Sequence, residues 1–295
     1  MSIPPQQLQT WSNLPDSGRY SETYASIVQA IHSADELVRY QYDVYLQGSY
    51  ANATNIRADS DVDVVVELTS SFRSDISTLS GFELHQYLSL SDSTVTLDEF
   101  RRDILAALRA KYGWGQVTEG SKCLKVAGSG RRLPVDVLPA QQYRLWRSVS
   151  RSDYEAGIVF RTRDGRDVVN YPKQHRDNGR AKHAATNRNY KGLVRAVKNA
   201  RRRLVEDGLL SRDVSPSYFV ECILYNVPTS SYTWDISETY LNVLIWLGEN
   251  QGRLAGLRCQ NEITDLFGPT PEQWDTERAS QLILALLKQW SNWNA

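Results

Sequence analysis

The stretch DVDVVVEL, residues 61 to 68, constrains the fold of this chain more than any other. Its β-branched run favours extended backbone. The period of two then puts Asp61 and Asp63 on one face of a strand, with Val62, Val64 and Val66 on the other. One face is predicted dry and one acidic. The valines require an apolar layer beneath them. The acids require compensation, because a carboxylate loses free energy on leaving water and two that are two residues apart repel each other. An isolated DVD is most often the solvent face of a half-exposed strand, so its neighbours decide the reading.

Upstream, Tyr24, Ile27, Val28 and Ile31 recur at helical spacing and predict a long helix from Ser21 to about Val38, leading into a short strand over Tyr42 to Gly48. A Ser-rich polar stretch at about 69 to 96 precedes LDEFRRDILAALRAKYG, a helix with Phe100, Ile104, Leu105 and Leu108 on one stripe. LKVAGSGRRLPVDVLPA predicts two strands around a glycine turn, the second carrying Asp136, and IVFRTRDGRDVVNYP predicts a hairpin at Asp164-Gly165. Beyond Pro172 the pattern is helical. NYKGLVRAVKNARRRLVEDG buries Tyr190, Leu193, Val194, Val197 and Leu204 and ends at Gly208; SPSYFVECILYNVP has Ser215 as cap and Pro216 at the first helical position. TPEQWDTERASQLILALLKQW opens on a Thr-x-x-Gln capping box. The architecture expected is a core over 1–171, including the long N-terminal helix, and a helical domain over 172–295, with a cleft between them.

The composition excludes several classes. Lysine plus arginine equals aspartate plus glutamate, 34 against 34, so no global field advertises a nucleic-acid or membrane partner. Cys123, Cys222 and Cys259 lie far apart without zinc-ligand spacing and read as buried thiols of a reducing cytoplasm. No leader pattern opens the chain and no run reaches a membrane span. AGSGRR, lacking the phosphate-loop frame, reads as a turn, and His175 and His183 as flanking a basic loop. Trp274, Trp290 and Trp293 read as anchors of core and surface.

Gly48 and Ser49 follow the first strand directly, where glycine lets backbone approach a phosphate and a serine hydroxyl with adjacent amides can hold its oxygens. Strand, Gly-Ser, Asp-x-Asp on the next strand and a third acid, Asp136, on a later one resemble the nucleotidyltransferase superfamily that includes DNA polymerase β, poly(A) polymerases and cGAS. Asp59 reads as loop. The resemblance implies an α+β fold: a polymerase-β-like palm with a mixed twisted sheet, packed against a C-terminal helical lobe. It also implies two Mg²⁺ ions, with Mn²⁺ able to substitute, on Asp61, Asp63 and Asp136. Magnesium suits the site because it takes one or two carboxylates and fills its other positions with water and phosphate oxygens.

The opening PPQQLQTWS, the LQGSYANATNIRADSDVDVVVEL block, VVNYPKQH, NYKGLVRAVKNAR, SPSYFVECILYNVP and RCQNEITDLFG narrow the likeness to the bacterial cGAS/DncV-like nucleotidyltransferases, nearest the CdnE group. That implies synthesis of cyclic dinucleotides, messengers of the anti-phage system CBASS, which a downstream effector reads without touching the synthase. Gln47, Gly48 and Ser49 then fall in the nucleotide cradle, Lys198 and Ser217 match phosphate-binding positions, and Tyr218 matches a base-stacking aromatic. Asn170 matches an asparagine associated with uridine, since an amide can donate and accept at one base edge. Each has a plain rival: core packing for Tyr218, a backbone-bonded hairpin end for Asn170, a solvated face for most of the eleven basic residues between Tyr171 and Arg203. UTP and ATP are the expected substrates, giving cyclic UMP-AMP or cyclic di-UMP, in a monomer with no stable nucleic-acid partner. The alternatives are a linear template-independent transferase acting on RNA or protein, and a silent nucleotide sensor.

Overall fold

A computed structural model describes residues 2–15, 18–57, 60–89 and 95–293. Asp59, and residues 90–94 of the Ser-rich stretch, lie outside the described residues. The helices and strands run α1 Pro5–Ser12, α2 Gly18–His32, β1 Tyr42–Gln47, α3 Gly48–Asn52, β2 Val62–Asp75, α4 Gly81–Leu88, α5 Leu97–Tyr112, β3 Val117–Glu119, β4 Leu124–Val126, β5 Val135–Ser148, β6 Asp153–Arg161, β7 Asp167–Asn170, α6 Pro172–Ala185, α7 Tyr190–Glu206, α8 Ser217–Tyr225, α9 Ile236–Glu249 and α10 Thr276–Ser291. Two compact units result: Met1–Asp16 with Ala51–Ala58 and Lys173–Ala295, and Ser17–Tyr50 with Asp59–Pro172. Packing thus groups α1, and the segment that starts within α3 at Ala51, with the helices.

The second unit is the sheet unit, and its mixed sheet carries the fold class expected. The order is β1-β2-β5-β4-β3, with β6 on β5 and β7 on β6. β2 and β5 run parallel, while β1 and β4 flank them antiparallel. Val62, Val64, Val66 and Leu68 bury one face of β2 against Ile27 and Ile31 of α2 and Phe100, Ile104 and Leu108 of α5. Fully burying each such side chain contributes about 1.5–3 kcal/mol. The opposite face is not uniformly acidic: Val65 is fully buried with Leu138, Ala140, Ile158, Phe160 and Val168. β2 also runs on to Asp75, beyond the predicted end at Leu68. After a shift between Leu68 and Phe72 the polar residues pair with β5, so ladder hydrogen bonds hold what composition alone marks as loop. α2 ends at His32, short of Val38, and is followed by a 3₁₀ turn at Asp35–Leu37.

The helical unit has one core, in which Ile3, Leu8 and Trp11 of the N-terminal segment join Tyr190, Leu193, Val194 and Val197 of α7 and Val220, Ile223, Tyr240, Leu282 and Ile283. Two predicted caps move. Pro216, not Ser215, precedes α8, and the Ser215 hydroxyl is buried without a partner. α10 starts at Thr276 on Asp275, whose carboxylate accepts from the Arg278 amide, while Thr270 and Gln273 bond each other in the turn before it. His175 and His183 lie on α6, a helix and not a loop. Cys222 and Cys259 are buried as expected, but Cys123 is partly exposed. Trp274 is core. Among the described residues no helix is long and apolar enough to cross a membrane.

Candidate active site

Strand register assembles the sheet-unit residues in one row. Gln47 of β1 pairs with Asp63 of β2, Asp63 with Asp136 of β5, and Asp136 with Lys125 of β4. Neighbours in register project to the same face, so two carboxylates 73 positions apart in the chain become adjacent, bracketed by an amide and an ammonium. The Lys125 ammonium lies 3.5 Å from Asp136 Oδ1. Asp61 lies exposed just before β2 and adds its charge to that felt by Asp63.

The electrostatics show an undercompensated site. Burial, then the charges of Asp136 and Asp61, push the Asp63 carboxyl up to about 7 against the opposing pull of Lys125. Burial and the neighbouring Asp136 carboxylate push the Cys123 thiol up to about 12, so it stays a neutral thiol at physiological pH. The Asp136 charge also raises the Lys125 ammonium. One cation cannot balance three acids.

Gly48 opens the turn out of β1 at φ +66°, and a Cβ built there would lie 2.2 Å from Asp63 Oδ2. Only glycine combines that backbone with that proximity. Ser49 follows in α3, half-buried. The donor set is oxygen-only and hard, which fits a divalent cation such as Mg²⁺. Among the described residues no group of three or more His, Cys, Asp or Glu is arranged to hold a metal ion by itself. The fit is therefore to an ion that takes one or two carboxylates and completes its shell from water and phosphate.

Asn170 ends β7, exposed, paired with Ile158, and its side-chain amide bonds no described residue, so the hairpin-end rival is not realised. Gly157 makes room for this strand end: a Cβ there would come within 2.9 Å of the Asn170 carbonyl and 2.8 Å of the Tyr171 ring. Sequence reasoning passed over Gly157, and over Lys125, whose place opposite Asp136 needs strand register to be seen.

In the helical unit, Ser217 is the first residue of α8 and exposed, with no side-chain cap on the helix. Tyr218 is 42% exposed as a whole, yet burial beside Cys222 and Cys259 raises its phenol, and one ring face stacks on His175 at 5.1 Å and 24°. Lys198 is buried and paired. Its side chain is 4% exposed and its ammonium meets Glu221 Oε1 at 2.5 Å and the Thr54 hydroxyl at 3.2 Å. Of the other basic residues on that face of α7, Arg195 donates to the Ser12 and Ala53 carbonyls.

Comparison with known proteins fits this geometry. Residues 177–291 match the family model of the cGAS/DncV-like nucleotidyltransferase C-terminal helical domain. The chain is 40% identical to the cyclic UMP-AMP synthase of Rhodothermus marinus, over 99% of both chains. It is 32% identical to the cyclic dipyrimidine nucleotide synthase CdnE of Legionella pneumophila, over 92% of each. The solved structure of the Rhodothermus marinus CdnE c-UMP-AMP synthase with Apcpp and Upnpp superposes with a TM-score of 0.89, covering 99% of this chain and 98% of that one. Full-length identity at this level, on a sheet that brings the acids together, has one explanation: the chain belongs to the cGAS/DncV-like nucleotidyltransferases, in their CdnE group.

Proposed function

We propose that this enzyme joins UTP and ATP, or two UTP, into a cyclic dinucleotide that serves as an alarm signal in CBASS anti-phage defence in the bacterial cytoplasm. The observation that carries the reading is the in-register pairing of Asp63 with Asp136 beside Gln47 and Gly48, in a chain of this family. Asp61, Asp63 and Asp136 hold the divalent cations, Mg²⁺ in number two, with Mn²⁺ able to substitute. Bound there, such ions lower the pKa of the attacking ribose hydroxyl and neutralise charge on the triphosphate and the departing pyrophosphate.

The chain's own residues bind and orient. Gln47, Gly48 and Ser49 cradle phosphate oxygens, Ser217 offers a hydroxyl and first-turn amides to the triphosphate tail, and Tyr218 stacks on a base through its open face. In each half of the reaction the acceptor hydroxyl oxygen bonds to the donor α-phosphorus and pyrophosphate leaves with the bonding pair. Two such steps close the ring, so one set of acids suffices. The enzyme acts as a monomer, and the effector reads the product without contacting it.

Asn170 selects uridine, because its amide can both donate to and accept from the edge of uracil. Asn170→Ser should shift incorporation from uridine towards purines; an unchanged product profile discards the assignment. Incubation with all four labelled triphosphates and Mg²⁺, then phosphatase and mass spectrometry, tests the function. A phosphatase-resistant ring containing uridine is expected. Products wholly degraded by phosphatase would make the enzyme a terminal transferase.

A further inference from the structure

β7 is a four-residue edge strand that pairs with β6 alone, and Asn170 is its last residue. Such a strand end frays unless something beyond the ladder holds it. Its side chain lies on the face that carries the acids. Asn170 pairs with Ile158 and Ile158 with Gln142, and strand alternation puts Gln142 on the same side of β5 as Asp136. The buried cluster of Val65, Leu138, Ala140, Ile158 and Val168 marks that face from the residue two after Asp63 to the residue two before Asn170.

The opposite face supplies the hold. Tyr143 of β5 pairs with Gly157 of β6. Glycine inside a strand weakens it, and one that stays there often marks a close approach by another group. Here the Tyr171 ring takes the space: a β-carbon at Gly157 would stand 2.8 Å from that ring and 2.9 Å from the Asn170 carbonyl. Tyr171 is buried, and its ring meets that of Tyr143 edge-on at 6.4 Å and 82°. Tyr143 is fixed in turn. Its hydroxyl donates to Asp75 Oδ2 at 3.2 Å, and Asp75 Oδ1 accepts from the Ser77 amide at 2.9 Å. Burial, then the charges of Asp75 and Glu155, push the Tyr171 phenol up to about 12, so the ring anchors the strand end without adding a charge.

We propose that Gly157 and Tyr171 are positioning residues for base selection: the bare backbone of Gly157 seats the Tyr171 ring, the ring anchors the end of β7, and the anchored strand aims the Asn170 amide at uracil. The proposal rests on the reading of Asn170 as the residue that selects uridine. Neither positioning residue shares the face of the acids, so each acts through Asn170 and not by touching the nucleotide. Magnitudes support this. A β-carbon at Gly157 reaches ordinary van der Waals separation only if the Asn170 backbone moves by roughly 0.6 Å. An amide hydrogen bond tolerates about 0.5 Å in length, so that displacement spoils a base contact while the sheet beneath it stays paired.

The measurement is the uridine-to-purine ratio of the phosphatase-resistant product made from equimolar UTP, ATP, GTP and CTP with Mg²⁺. Total product and a thermal melt are taken on the same samples of wild type, Gly157→Ala, Tyr171→Leu, Tyr171→Phe and Asn170→Ser. A packing role alone would lower total product and leave its composition unchanged. Base selection requires the ratio to fall by about fivefold or more in Gly157→Ala and in Tyr171→Leu, the loss of one ordinary hydrogen bond. Tyr171→Phe keeps the ring and should keep the ratio. Tyr171→Leu carries the test should Gly157→Ala not fold. A wild-type ratio in folded Gly157→Ala or Tyr171→Leu, while Asn170→Ser shifts it, overturns the proposal alone; so does a ratio in Tyr171→Phe as low as in Tyr171→Leu. A wild-type ratio in Asn170→Ser overturns the uridine reading itself, and the proposal with it.

Discussion

Asp63 shows how a single side chain reports what its site is built for. Its folded pKa of about 7 stands above the unfolded value of 3.8. A carboxyl shifted upward holds its proton more tightly when folded, so its contribution to stability is complete below about pH 4 and lost as pH rises through about 7. In chelator-treated protein we expect stability to fall by on the order of 2 kcal/mol between pH 5 and 8. The Asp63→Asn variant should give the flatter profile in matched thermal melts, and parallel profiles would remove the claim that the site is undercompensated. Gly48→Ala tests the neighbouring position. The new Cβ would occupy the place of Asp63 Oδ2, at a backbone conformation that itself costs about 1–2 kcal/mol for alanine. Synthesis should drop at least 100-fold with a modest loss of melting temperature; turnover near wild type would mean that Asp63 is not needed where it stands. The pairing of Asp63 with Asp136 and the approach of Gly48 to Asp63 were anticipated from the sequence, because a buried strand of valines leaves its acids conspicuous. The contacts of Lys125 with Asp136 and of Glu221 with Asn52 and Thr54 were not, since they arise from strand register and from pairings distant in the chain.

At the scale of elements, legibility followed the strength of the local signal. α5 and α7 lie where periodicity predicts, and each buries the predicted stripe. α5 also carries a capping box, Thr96 accepting from the Glu99 amide while Glu99 accepts from the Thr96 amide. Thr96→Ala should therefore cost about 1 kcal/mol, or about 1–2 °C in melting temperature for a chain of this size. Turnover per folded molecule should not change, and a loss of turnover without a shift in melting would show that α5 does more than support the sheet. Where tertiary pairing overrides local preference the sequence misled. The polar end of β2 is strand because β5 pairs with it, and α8 begins at Ser217 because proline at the preceding position admits the chain to a helix without a side-chain cap.

At the scale of the whole molecule, the chain composes two packing units whose membership is not sequential. Residues 51–58 belong to the helical unit although both neighbouring strands belong to the sheet unit. Nothing in their composition announces this, because it is Glu221, Lys198 and Arg195, more than 130 positions away, that bond Asn52, Ala53 and Thr54. The balanced charge of 34 against 34 has the matching consequence that function must be local. The seat we propose for it is the row of acids at the β2–β5 pair. Electron paramagnetic resonance titration with Mn²⁺, on protein loaded with a non-hydrolysable UTP analogue, tests this most directly when wild type is compared with Asp136→Asn. The wild type should bind two ions per loaded chain, and Asp136→Asn should lose or weaken one of them at least tenfold while keeping its fold. An Asp136→Asn protein that binds both ions with wild-type affinity would contradict the account.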